Sequence, residues 1–157
     1  MVRELIVNGN EETTPQGVPF HSYRKVVAEA ATLTAFDNGA LISFNAAAGY
    51  TVTLPAAQKG LWFDISVDTT VTSSVARLAC ATGDFFIGTI LQGTDSTFTQ
   101  AAQTANGSTH LAWEGNGSTT GGIIGDNMQV IAISDTQWRI RGYNTATGTE
   151  ATPFKTS

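Results

Sequence analysis

Between residues 32 and 67, apolar and polar side chains alternate with a period of two in three successive runs. Ala40, Ile42 and Phe44 alternate with Leu41, Ser43 and Asn45. Tyr50, Val52 and Leu54 alternate with Thr51 and Thr53. Leu61, Phe63, Ile65 and Val67 alternate with Trp62, Asp64 and Ser66. Successive side chains of a strand face opposite sides, so this pattern demands half-buried strands and fits no helix. Asn38-Gly39 and Gly49 are placed to supply positive-φ turns between the runs. Pro55 has no amide donor, so it ends the second strand or sits on an edge. The expectation is a three-strand meander with Trp62 pointing outward.

Later stretches repeat the theme. Residues 77–81, 85–91 and 110–114 read as strands. Residues 128–134 and 137–143 read as a hairpin around Asp135-Thr136, with Trp138 and Ile140 inward and Arg139 and Arg141 outward. Thr34 caps a single helical turn that stops at Gly39. Residues 92–108 read as a long connection or a ragged edge, and the Gly-Ser stretch over 115–122 as a flexible loop. Asn106-Gly107-Ser108-Thr109 and Asn116-Gly117-Ser118-Thr119 flank one strand and read as its two turns rather than as glycosylation sites. Short strands with turn signals roughly every eight to twelve residues predict an all-β fold, an antiparallel β-sandwich or jelly roll.

Composition agrees. Charged residues make up 13% of the chain, against about 25% in ordinary globular proteins. A 157-residue chain is expected to form one domain. Three segments are distinguished: an extended N-terminal arm over 1–25, a sandwich over 26–143, and a polar tail over 144–157 around Pro153-Phe154. The arm reaches on the order of 80 Å if fully extended. A terminal strand on the sheet edge is the other reading of the same residues.

Charge and spacing exclude several functions. The net charge of −5 argues against phosphate-driven nucleic-acid binding. No segment approaches the ~20 apolar residues of a membrane span, and the N-terminal apolar run is too short for a signal peptide. Cys80 is the single cysteine; it lies in an apolar run and reads as a small buried hydrophobe. His21 and His110 lie outside metal-ligand spacing of each other and of Cys80. Asp64 and Asp68 read as solvated strand-end carboxylates rather than an acid/base pair. Neither an enzyme nor a cofactor or metal site is expected. Phe20, His21, Tyr23, Arg24 and Lys25 concentrate aromatic and basic groups, and Trp62 faces outward. These are the side-chain types that dominate interface hot spots, and they form the predicted contact set.

The succession Thr32-Leu33-Thr34-Ala35, Asp37 and Gly39, then Val52-Thr53-Leu54-Pro55-Ala56 and Gly60, then the tryptophan strand from Asp135 to Gly142, spans most of the chain. It resembles a family of tailed-phage virion proteins that decorate or cement the capsid. The resemblance implies a structural protein on the capsid exterior, assembled in the host cytoplasm and bound to the major capsid protein. Members of that family self-associate as trimers or dimers; outward Trp62 and sparse surface charge leave an apolar patch that makes a homotrimer the expectation here, ahead of a dimer. Such proteins clamp neighbouring subunits through many weak contacts in parallel. The alternative reading is a carbohydrate-binding β-sandwich, such as a phage fibre tip, in which Trp62 or Trp113 stacks on a sugar.

Overall fold

The runs over 32–67 do form strands, but they are divided between two sheets. The computed structural model describes residues 23–94 and 100–157. Among them the strands are β1 Arg24–Val27, β2 Ala31–Thr32, β3 Leu41–Phe44, β4 Thr51–Thr53, β5 Trp62–Val67 and β6 Ala76–Ala79. Then follow β7 Phe85–Thr94, β8 Gln100–Asn106, β9 Ala112–Gly115, β10 Asn127–Ala132, β11 Gln137–Ala146 and β12 Phe154–Lys155. A seven-stranded sheet has the order β1-β3-β5-β10-β11-β7-β8, and a five-stranded sheet the order β12-β9-β6-β4-β2. The two pack face to face over one apolar core as an all-β sandwich.

From β1 to β6 the chain crosses the core at every connection. The odd strands enter the large sheet, the even strands the small one. Each strand then lies parallel to the one two places earlier: β3 on β1, β5 on β3, β4 on β2 and β6 on β4. Parallel neighbours need a crossover rather than a hairpin. Here the crossover is a strand of the opposite sheet. The expected meander is therefore a two-sheet winding, and both sheets are mixed rather than antiparallel. Gly39 does take a positive φ of 78°. Gly49 does not supply the positive-φ turn expected of it; a Cβ there would lie 2.2 Å from the Val75 carbonyl oxygen, and that close backbone approach is what requires glycine.

The inward faces follow the alternation. Phe63, Ile65 and Val67 of β5 are buried, while Trp62, Asp64 and Ser66 face the other way. Ile42 and Phe44 of β3 meet Val52, Leu54 and Leu78 from the small sheet in the same core. The predicted hairpin is present as antiparallel β10–β11, with Trp138 and Ile140 fully buried. Phe63 packs against Trp138 with ring centroids 5.8 Å apart. Thr34 precedes a 3-10 turn, Ala35–Asp37, as expected of its capping position.

Three expectations shift, and one left open is resolved. The predicted arm over 1–25 ends inside the sheet, because Arg24 and Lys25 belong to β1 and pair with β3; residues 1–22 lie outside the described residues. Of the two readings of 92–108, a connection or a ragged edge, the second fits: Gln100–Asn106 is a strand on the edge of the large sheet, paired with β7. Its only fully buried side chain is the small Ala105, so it carried no strong apolar signal. The polar tail is anchored by β12, which pairs antiparallel with β9 and buries Phe154. Finally, the Gly-Ser loop is pinned: Gly117 donates to the Gly121 carbonyl at 2.7 Å, and Val71 donates to the Gly122 carbonyl at 2.9 Å.

Candidate functional site

The outward side chains of the large sheet form rows across its strands. Leu41, Asp64, Gln129, Arg141 and Thr89 are successive cross-strand partners on β3, β5, β10, β11 and β7. Ser66, Asn127, Tyr143 and Leu91 form the next row. Trp62, Ile131, Arg139 and Ile87 form a third on the other side. The first two rows line an open groove of about 640 Å³. Tyr143 is 58% exposed. Arg141 lies along the surface and donates twice to Gln129 Oε1, at 3.1 and 2.7 Å.

Such a face arises because alternation places every second residue on it whatever its chemistry. On the core side these strands are mostly apolar, with Gln92 of β7 and Asn144 of β11 the buried polar residues near one end. On this side they carry aromatic, aliphatic and arginine side chains among short polar ones. Aromatic and arginine groups are enriched where proteins meet other proteins.

At the β1 edge, Arg24 turns outward. Its Nε donates to Ser43 Oγ at 2.8 Å, and its Nη2 to Asp68 Oδ2. Ser66 Oγ also donates to Asp68 Oδ1, at 2.6 Å. Burial opposes ionisation of Asp68, but the hydrogen bonds from Ser66 and Arg24 outweigh it and hold the carboxyl below its ordinary pKa. Asp68 is therefore the partner of Arg24 rather than the second half of a carboxylate pair with Asp64.

Tyr23 and Lys25 point to the other side of the same strand. Both donate to the buried Asp37 Oδ1, Lys25 Nζ at 2.8 Å. Asp37 Oδ2 accepts from the Thr34 backbone N–H at 2.8 Å and its hydroxyl at 3.1 Å. Burial pushes the Asp37 carboxyl up, yet the bonds from Lys25, Tyr23 and Thr34 prevail and lower its pKa to about 2. Burial and the Asp37 charge together raise the Tyr23 hydroxyl. Of the predicted contact set, then, Tyr23 and Lys25 fasten β1 to the 3-10 turn, and Arg24 and Trp62 lie on the outer face. Phe20 and His21 lie outside the described residues.

Trp113 is fully buried, packed edge-on against Phe44 with centroids 6.5 Å apart. It cannot stack on a sugar, which corrects that half of the carbohydrate-binding expectation. The inner face of β9 claims it because β9 pairs with β6 and places Trp113 opposite Leu78. Cys80 is half-buried against the core; burial first, and Asp84 second, raise its thiol far above the reactive range. Among the described residues, no three His, Cys, Asp or Glu side chains come together as a metal-binding group, and no helix is long and apolar enough to cross a membrane.

Sequence reasoning missed the flanking members of the face: Ile87, Ile131 and Tyr143. Their strands were recognised, but register decides which outward residues become neighbours, and register follows from the sheet order. It also missed Phe36, which is 97% exposed on the 3-10 turn. The signal was available, since a Thr34-to-Asp37 cap fixes the turn and leaves Phe36 without an inward face. No protein-family model, curated protein or solved structure matches the chain.

Proposed function

We propose that this chain is a virion structural protein that binds and stabilises an assembled phage capsid, and that the outer face of its large sheet is the docking surface. One observation carries the docking surface: a continuous sheet face in which Trp62, Ile131, Ile87, Leu91 and Tyr143 accompany Arg139 and Arg141. The motif resemblance over 32–142 supplies the partner, the major capsid protein. A face of this kind gains affinity from a few large side chains surrounded by contacts that exclude water. Homotrimers on the shell would multiply those contacts, so that avidity rather than single-site affinity holds the layer in place.

The test is decoration of bare shells assembled from the major capsid protein of a phage that encodes this chain. The wild-type protein should saturate the shells and raise their resistance to heat. Trp62→Ala combined with Arg141→Ala should bind at least about tenfold more weakly, with no loss of fold by circular dichroism. Undiminished occupancy by the double variant would reject this face as the docking surface. The glycan-binding reading retains Trp62, the one tryptophan that reaches the surface. Glycan-array binding that disappears with Trp62→Ala, without any binding to shells, would favour it.

A further inference from the structure

Phe36 is almost fully solvated, yet its backbone is held firmly. Asp37 N–H donates to the Thr34 carbonyl at 3.0 Å, and Ala40 N–H to the Asp37 carbonyl at 3.0 Å. Gly39 N–H donates to the Trp62 carbonyl, and Trp62 N–H to Asn38 Oδ1, both at 2.8 Å. Leu33 is buried in the core on one side of Phe36, and Asp37 is tied to Tyr23, Lys25 and Thr34 on the other. Thr34, Asp37, Asn38 and Gly39 are thus occupied in building the turn, and Leu33 in anchoring it to the core. Phe36 lends the turn its backbone, as the middle residue of Ala35–Asp37, while its phenyl ring takes no part in these bonds and projects from a hydrogen-bonded base. A side chain presented in this way loses little conformational freedom when it docks.

A second observation concerns the same end of the sandwich. β1 and β2 are the terminal strands of the two sheets. Leu41 N–H donates to the Tyr23 carbonyl and Asn45 N–H to the Val27 carbonyl, so alternate peptide groups of β1 face β3. The intervening groups at Arg24 and Val26 face away, and among the described residues no strand pairs there. Val26 is 50% exposed. The chain from Lys25 to Ala31 borders a hollow of about 390 Å³. A strand edge without a partner among the described residues invites pairing with another polypeptide, which neither a lipid surface nor a glycan can offer.

We infer that Phe36 is a preformed anchor that enters an apolar pocket of a protein partner docking against the β1/β2 end of the sandwich. The inference rests on the capsid-binding reading, which makes that partner the shell. The contact would then wrap from the outer face of the large sheet around the β1 edge, past Arg24 and Val26, to Phe36.

The experiment measures binding of the full chain and its variants to bare shells, alongside the melting temperature and sedimentation of the free protein. Phe36→Ala should bind on the order of tenfold or more weakly, with melting temperature and oligomeric state unchanged. Phe36→Leu should retain most of the binding, and Phe36→Glu should abolish it. Equal binding by wild type, Phe36→Ala and Phe36→Glu would overturn the anchor while leaving the capsid reading intact. Failure of the wild type to bind shells would overturn the capsid reading and, with it, the named partner. A lowered melting temperature for Phe36→Ala would place Phe36 against its own chain, and dissociation of an oligomer would place it against a second copy. Either result would overturn the proposal.

Discussion

Asn106-Gly107-Ser108-Thr109 and Asn116-Gly117-Ser118-Thr119 are identical in sequence and fold into the same turn. In each, the asparagine oxygen accepts from the serine N–H, at 3.0 and 2.9 Å. In each, the asparagine amide donates to the threonine hydroxyl, at 2.8 and 2.9 Å. The glycine φ angles are 77° and 76°. The surroundings are what differ. At the first turn, a Cβ on Gly107 would press on the side chains of Gln137 and Ile87, at 3.0 and 3.1 Å. At the second, a Cβ on Gly117 would lie 1.7 Å from the Val71 carbonyl oxygen. Both turns are bonded to their neighbours: the Gly107 N–H donates to the Phe86 carbonyl at 2.8 Å and its carbonyl accepts from Gln137 Nε2 at 3.0 Å, while the Thr119 carbonyl accepts from Gln92 Nε2 at 2.9 Å and Ala151 N–H at 3.0 Å. Four residues are enough to dictate the turn. Its contribution to the fold depends on the tertiary contacts around it.

Substitutions can break this comparison. Gly117→Ala should have the largest effect, about 4 kcal/mol or outright failure to fold, because strain at positive φ adds to a clash with rigid backbone. Urea unfolding of soluble protein with near-native stability would show that the Val71 segment yields easily. Asn116→Ala should follow at about 2–3 kcal/mol, since it strands the partly buried N–H groups of Ser118 and Thr120. Gly107→Ala should cost about 1–2 kcal/mol, mainly the left-handed strain, because the added Cβ meets side-chain atoms of Gln137 and Ile87 at 3.0 and 3.1 Å rather than a backbone carbonyl. Asn106→Ala should be mildest, about 0.5–1 kcal/mol, because water can replace the lost bonds at the surface. Equal midpoints for the two asparagine variants, or for the two glycine variants, would remove the tertiary context from the explanation.

The same division between local and distant causes decides what could be read from the sequence. Ile42, Phe63 and Ile65 announce their inward positions through alternation alone, and the Thr34-Asp37 turn is set by its own cap. Whether β3 and β5 are joined through a hairpin or lie parallel leaves no trace in a period of two, because both arrangements bury the same residues. Phe154 sits among polar neighbours, and its burial depends on a strand some forty residues earlier, β9. Trp113 belongs to a strand whose inner side is defined by pairing with β6. The candidate face was legible one strand at a time: Trp62, Arg139 and Arg141 were each assigned outward, but their adjacency required the order β5-β10-β11.

That order also bears on how the protein is made. β10 and β11 are translated late, yet they stand in the middle of the large sheet, between β5 and β7. As the chain emerges from the ribosome, β1, β3 and β5 can assemble early, and β7 can pair with β8. The two half-sheets have no contact through the ladder until the hairpin arrives as a keystone. A polypeptide halted before Asn127 would leave β5 and β7 of the large sheet, and β9 of the small one, without their later partners, each a template for pairing with a neighbouring nascent chain. Truncation there would not trim the molecule; it would leave a species prone to aggregation, and a cell making this protein in quantity would depend on finishing every copy.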